Sequence, residues 1–118
     1  MQSRHGSLEC AILGALWSLE SDGIYTNSVK EVFDILSQNE TEKRAYTTIK
    51  TVMDRLFEKR VLLRYKHGKK FFYRTVYSNK ETIERILNET ANRYCGGDLR
   101  CLNGVLNEML EENCLVGV

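Results

Sequence analysis

Between Arg44 and Arg74 the chain reads RAYTTIKTVMDRLFEKRVLLRYKHGKKFFYR, and here a helical period gives way to a strand period while positive charge accumulates. Few folds accommodate that combination. Ile49, Val52, Met53, Leu56 and Phe57 fall at i, i+3, i+4, i+7 and i+8, which predicts one apolar stripe along a helix from Tyr46 to Lys59. Thr47, Thr48, Lys50, Thr51, Asp54 and Arg55 occupy the opposite face, and Thr47 or its neighbour is expected to cap the helix start. After Arg60 the segments 61–66 and 70–77 are rich in β-branched and aromatic residues, which predicts two strands joined through His67-Gly68. Gly68 supplies the positive φ of a tight turn, and His67 tolerates it better than a β-branched residue would.

Charge separates this stretch from the rest of the chain. Residues 43–74 hold eleven Lys and Arg against two acids, Asp54 and Glu58, a balance of +9. Seventeen bases and sixteen acids in the whole chain leave six bases and fourteen acids elsewhere, so a formal charge of +1 hides a strong asymmetry. Cations concentrated on one helix and an adjoining ribbon are the footprint of phosphate contact, whereas a merely solvated surface mixes its signs.

With 118 residues, the chain is long enough for one modest core, alone or with an oligomerisation appendage. Its longest apolar run, from Cys10 to Trp17, is far too short to span a bilayer. Arg4 precedes that run, but Glu9 interrupts the approach to it and no small-residue cleavage pattern follows, so a cytoplasmic protein with no membrane partner is expected. The four cysteines, Cys10, Cys95, Cys101 and Cys114, show no CxxC spacing and are expected to stay thiols in a reducing cytosol, with Cys10 packed.

Taken in order, Ser7 is placed to cap a first helix whose apolar positions are Leu8, Ala11, Ile12, Ala15, Leu16 and Leu19, with Trp17 packing off that stripe. Ser21-Asp22-Gly23 ends it, and Ile24-Tyr25 is a candidate short strand beside the later hairpin. A second helix restarts after Thr26 to Ser28, with Val29, Val32, Phe33 and Leu36 as its stripe, and the polar segment 38–43 leads into the basic helix. In the strand pattern Phe71 and Tyr73 share one face and Phe72 the other, which favours core packing over a base-stacking platform. Helix, helix, polar turn, helix and hairpin is the plan of a winged helix-turn-helix, in which the third helix enters the major groove.

From Asn79 the charge changes sign. Ile83, Ile86, Leu87, Ala91 and Tyr94 predict one amphipathic helix, and Leu99, Leu102, Leu106, Met109 and Leu110 another, with Gly96-Gly97 between them. An αα-hairpin with more apolar surface than a closed three-helix domain needs is expected to bury Ile83, Ile86, Leu87, Tyr94, Leu99, Leu102, Leu106, Met109 and Leu110 against a second copy. The expected fold is mostly α with a small β-hairpin wing: a winged helix-turn-helix DNA-binding domain over 1–77 and a C-terminal helical dimerisation region over 78–118.

The segment from Ala45, AYTTIKTVMDRLFEKRVLLRYKHGKKFFYR, closely resembles the recognition helix and wing of the penicillinase-repressor family, and LECAILGALWSLESDG resembles that family's first helix. The match covers most of residues 7–77, and its most specific parts are Ala-Tyr-Thr-Thr, Thr-Val-Met-Asp-Arg-Leu and the Gly-containing wing. The resemblance implies a cytoplasmic homodimeric transcriptional repressor bound to double-stranded operator DNA. It places Thr47, Thr48, Lys50, Thr51 and Arg55 at the DNA and the wing near 66–70 on the flanking backbone. With the basic residues around them, the expected DNA-binding set is Arg44, Tyr46, Thr47, Thr48, Lys50, Thr51, Arg55, Lys66, His67, Lys69 and Lys70. The family's antibiotic repressors share a Gly-Gly break between dimer helices and are cleaved at an Asn-Phe bond beyond it. This chain has no Asn-Phe, its positional counterpart being Asn103-Gly104, and it lacks the paired Cys-x-Cys of the copper-responsive branch.

Two further readings stay open from the residues. Thiolates of Cys95, Cys101 and Cys114 are candidates for a soft metal, an iron–sulfur cluster or a redox signal, against the simpler reading of three small hydrophobes; no other cofactor is expected. A winged-helix adaptor that holds a protein partner and has no operator is the other alternative. His5 and His67 are too few and too far apart for a zinc site. No Ser-His-Asp, HExxH or phosphate-loop pattern is present, and Glu108, Glu111 and Glu112 sit on a solvated face, so neither an enzyme nor a small-molecule substrate is expected.

Overall fold

The computed structural model describes residues 5–38 and 44–116, with side chains as far as residue 113. Its elements run α1 (Ser7–Ser21), α2 (Val29–Ser37), α3 (Tyr46–Glu58), β1 (Leu62–His67), β2 (Lys70–Thr75), α4 (Asn79–Tyr94) and α5 (Leu99–Val116). The chain divides into two compact units, one of them His5–Asn79 and the other containing residues 80–116. Among the described residues no helix is long and apolar enough to cross a membrane.

In the first unit α1, α2 and α3 pack on one another and the β1–β2 hairpin lies against all three. Ile12, Leu13, Ala15 and Leu16 of α1, Val29 and Val32 of α2, Ile49, Val52, Met53 and Leu56 of α3, and Leu62 and Tyr73 of the hairpin form one buried core. Leu13 lies outside the anticipated α1 stripe and is buried because α1 is covered on more than one side, so its apolar arc is wider than a single stripe.

Helix starts differ in detail from the sequence reading. Gly6, not Ser7, is the N-cap of α1, and the Glu9 carboxylate accepts the Gly6 amide at 2.8 Å. Ala45 is the N-cap of α3 and no side chain caps it, which leaves Thr47 inside the first turn. At α2, Ser28 is the N-cap: its amide donates to Glu31 at 2.7 Å and its hydroxyl to the same carboxylate. The polar segment 39–43 lies outside the described residues.

The strands are antiparallel, with Leu62 opposite Thr75, Arg64 opposite Tyr73 and Lys66 opposite Phe71 on one face, and Tyr65 opposite Phe72 on the other. His67 is the last strand residue, paired with Lys70; Gly68 alone of the two turn residues has positive φ, at 66°. The third-strand contact falls at Asn27, whose carbonyl accepts the Tyr73 amide at 2.8 Å, rather than at Ile24-Tyr25. Cys10 is exposed, not packed.

Polar clasps tie α1 to the end of the hairpin. Trp17 Nε1 donates to the Tyr77 carbonyl at 3.0 Å, and Glu20 accepts both the Thr75 amide at 2.8 Å and the Thr75 hydroxyl at 2.5 Å. Thr75 is buried. Glu20→Ala therefore strands two buried donors and is expected to cost about 2 kcal/mol of unfolding free energy, read from the urea midpoint at unchanged m value. A loss below about 0.5 kcal/mol would mean water replaces the carboxylate there.

The second unit departs from the anticipated αα-hairpin. Among the described residues α4 and α5 do not pack lengthwise on one another, and the bend between them is closed covalently: Cys95 and Cys101 form a disulfide with Cα atoms 5.9 Å apart. The expectation of thiols is corrected for a local reason. Gly96 and Gly97 take φ values of 57° and 84°, and the Cys95 and Gly97 amides both fold onto the Ala91 carbonyl at 2.8 and 2.9 Å. That turn brings the end of α4 to the start of α5, within the Cα range a disulfide spans. The side chain of Cys114 lies outside the described ones.

Candidate nucleic-acid interface

Burial of one face of α3 decides what the other presents. With Ile49, Val52, Met53 and Leu56 in the core, Thr47, Thr48, Lys50, Thr51 and Arg55 project into solvent, and Arg44 and Tyr46 flank them at the helix start. Lys66, His67, Lys69 and Lys70 are likewise exposed at the hairpin tip. All eleven residues singled out from the sequence are thus solvent-facing in one unit.

Two of them are partly engaged already. The Tyr46 ring meets Phe33 of α2 edge-on, with centroids 5.6 Å apart. The Thr51 hydroxyl donates to the Thr47 carbonyl at 2.9 Å, so its oxygen remains available mainly as an acceptor. Arg55 makes no ion pair among the described residues.

A groove of about 280 Å³ runs between the starts of α2 and α3 and the hairpin tip, and Lys30, Lys50, Lys69 and Lys70 all line it, with Ser28, Tyr46 and Phe71. Lys30 was not among the anticipated residues. It lies in the first turn of α2, outside the basic window, and only the packing of α2 against β2 brings it to the others.

Asp54 organises this surface from beneath. Its carboxylate accepts Tyr73 Oη at 2.5 Å, Arg64 Nη1 at 3.2 Å and Lys50 Nζ at 3.1 Å, joining α3 to both strands. Partial burial pushes the Asp54 pKa up, but the hydrogen bonds from Tyr73, Lys50 and Arg64 outweigh it and hold the carboxyl below its ordinary value. Burial, then the bond to Asp54, pushes the Tyr73 hydroxyl up to about 12. Arg64 is sandwiched besides, its guanidinium 4.1 Å from the Phe57 ring centroid and 4.6 Å from that of Phe71.

Down that face of the hairpin the character grades outward. Leu62 and Thr75 are buried, Arg64 and Tyr73 form the ionic layer, and Lys66 and Phe71 stand exposed at the tip. Tyr65 and Phe72 stack on the other face at 6.0 Å, and Tyr65 Oη donates to the Tyr25 carbonyl at 3.2 Å. The hairpin is therefore held at its base and free at its cationic tip. The sequence does not mark Asp54 as a positioning group, because one of two acids in a basic window reads as ordinary charge mixing; its spacing of four from Lys50 is the available signal.

In the second unit, Leu99, Leu106, Met109 and Leu110 are each about half exposed, Ile83, Leu87 and Tyr94 are exposed, Ile86 and Leu102 are half-buried, and Ala91 is buried. No cluster of three or more His, Cys, Asp or Glu side chains gathers at metal-binding distance among the described residues.

A model of the penicillinase repressor family matches residues 5–115, nearly the whole chain. No individually curated protein matches the sequence.

Proposed function

The chain belongs to the penicillinase repressor family, and from that membership we propose that it is a cytoplasmic, homodimeric, sequence-specific transcriptional repressor of a dyad-symmetric operator, without enzymatic activity. The observation that carries the proposal is the convergence of Lys30, Lys50, Lys69 and Lys70 on one groove beside the exposed threonine face of α3. Lysines there neutralise phosphates and release counterions, while Thr47, Thr48, Thr51 and Arg55 meet base edges in the major groove. Arg44 and Tyr46 lie at the backbone beside the helix start, and Lys66 and His67 extend the contact along the wing.

Dimerisation is supported by the apolar faces of α4 and α5. An isolated helix gains little from propensity alone, and exposed leucines at helical spacing need a partner surface. Burying Ile83, Ile86, Leu87, Tyr94, Leu99, Leu102, Leu106, Met109 and Leu110 against a second copy supplies it, and a two-fold dimer sets two α3 helices about one DNA turn apart or a multiple of it. Repression then follows from occupying a promoter.

Selection of duplexes from a random pool by the purified full-length chain, at moderate salt, is expected to return an inverted repeat. A pool that stays random would remove the operator and leave a winged-helix scaffold that engages some other partner.

A further inference from the structure

The Cys95–Cys101 bridge is not among the residues assigned to the DNA, and it sits at the bend where α5 leaves α4. We propose that Cys95 and Cys101 are a reversible thiol–disulfide site that fixes this bend when oxidised and frees it when reduced. Three observations converge on it. The two sulfurs are bonded across a separation of six residues. Both glycines inside the loop have positive φ, a conformation that glycine holds without strain and leaves as readily. Beyond the bridge, among the described residues α5 has no lengthwise packing on α4, and the bonds at the bend are short-range, among them Asp98 N to the Cys95 carbonyl at 3.0 Å and Arg100 N to Asp98 Oδ1 at 2.9 Å.

Exposure assigns the two cysteines different parts. Cys101 is exposed in the first turn of α5 and Cys95 is half-buried at the end of α4. A low-molecular-weight disulfide is attacked by the Cys101 thiolate, forming a mixed disulfide and expelling one thiolate, which takes the proton Cys101 has lost. The Cys95 thiolate then attacks the Cys101 sulfur, forming the intramolecular bond and expelling the second small thiol, protonated in the same way. Two protein thiols are oxidised and one small disulfide is reduced to two thiols. Reduction is the same exchange reversed. In the reducing compartment where DNA-bound regulators work, disulfides are characteristically transient, which fits a switched site better than a permanent staple.

The consequence rests on the dimer reading above. Oxidation pre-organises α5 with Leu99, Leu106, Met109 and Leu110 outward, so the oxidised chain is expected to dimerise about tenfold more tightly than the reduced one, whose glycine bend must be ordered on association.

The test uses the full-length chain with Cys10→Ser and Cys114→Ser, equilibrated in glutathione buffers from reducing to oxidising. Alkylation and mass mapping report the bridge, hydrogen exchange reports residues 96–106, and sedimentation reports the dimer. A bridge that forms and opens reversibly is expected, with exchange at 96–106 slowed and dimerisation tightened in the oxidised state. Cys101→Ser should show the reduced behaviour in every buffer. No intramolecular bridge, unchanged exchange at 96–106, or equal dimer constants in the two states would each overturn the proposal. A chain that is monomeric in both states removes the dimer reading instead, and exchange at 96–106 still decides the redox site.

Discussion

Asp54→Ala is expected to cost the folded state about 2–3 kcal/mol, far more than a surface acid does, because three donors lose one acceptor together. Tyr73 is 1% exposed, and its hydroxyl has Asp54 as its partner at 2.5 Å. Arg64 would keep its two aromatic faces but lose the carboxylate that neutralises it. Asp54→Asn preserves shape and one acceptor, so it should lose roughly half as much. Urea unfolding of both variants measures this, and a change within about 0.5 kcal/mol for the alanine would show that the network merely decorates the surface.

The same group gives stability a pH dependence of definite sign. The folded state holds Asp54 below its ordinary value, so it binds that proton less readily than the unfolded chain. Its contribution is complete above the unfolded carboxylate value of about 3.9 and is lost as pH falls through the lower folded value. Tyr73 acts at the other end. Its folded value of about 12 against an ordinary 10.0 means that its contribution is complete below pH 10 and fades as pH rises towards 12. Asp54→Asn should flatten its share of the acid limb; Glu9 and Glu31 are also lowered, so the rest of that limb remains. Tyr73→Phe should remove the late-titrating phenol from the tyrosinate absorbance curve. An alkaline limb unaltered in that variant would assign it to other groups.

What the sequence revealed and what it concealed divide along the range of the interactions. The α3 stripe and the strand alternation of 70–75 were legible because each depends on residues a few positions apart, and their buried members, Ile49, Val52, Met53, Leu56 and Tyr73, lie in the core. Helix starts were less legible. Ser7 and Thr47 are good capping residues by type, but capping needs an extended residue just before the helix, and Gly6 and Ala45 hold that conformation. The bonds of Asp54 to Arg64 and Tyr73, the Lys30 position and the α1 clasp on Thr75 all join segments distant in sequence, and no local pattern encodes them. The cysteine bridge is illegible for another reason: a spacing of six matches no familiar motif, and the proximity comes from two successive glycines with positive φ, which a sequence marks as flexible without saying which way they turn.

Lys69→Ala with Lys70→Ala is expected to weaken operator binding on the order of a thousandfold near 0.15 M salt, while leaving the fold intact. Both side chains are exposed and line the groove beside α3. In a dimer the pair of substitutions removes four cations from the interface. Each phosphate neutralised contributes about 0.9 to the slope of log affinity against log salt, so four contribute about 3.6. Multiplied by the logarithmic distance from 1 M to about 0.15 M salt, that slope gives roughly three decades. The loss should therefore be nearly uniform across operator sequences and should shrink as salt rises. Thr48→Ala should behave in the opposite way, with an almost unchanged salt slope and discrimination weakened by about 1–3 kcal/mol at one base pair of each half-site. Titrations of the selected operator at four or more salt concentrations separate the two. If the lysine variant keeps the wild-type slope, the wing tip does not touch the phosphate backbone, and the cationic groove serves a ligand other than duplex DNA.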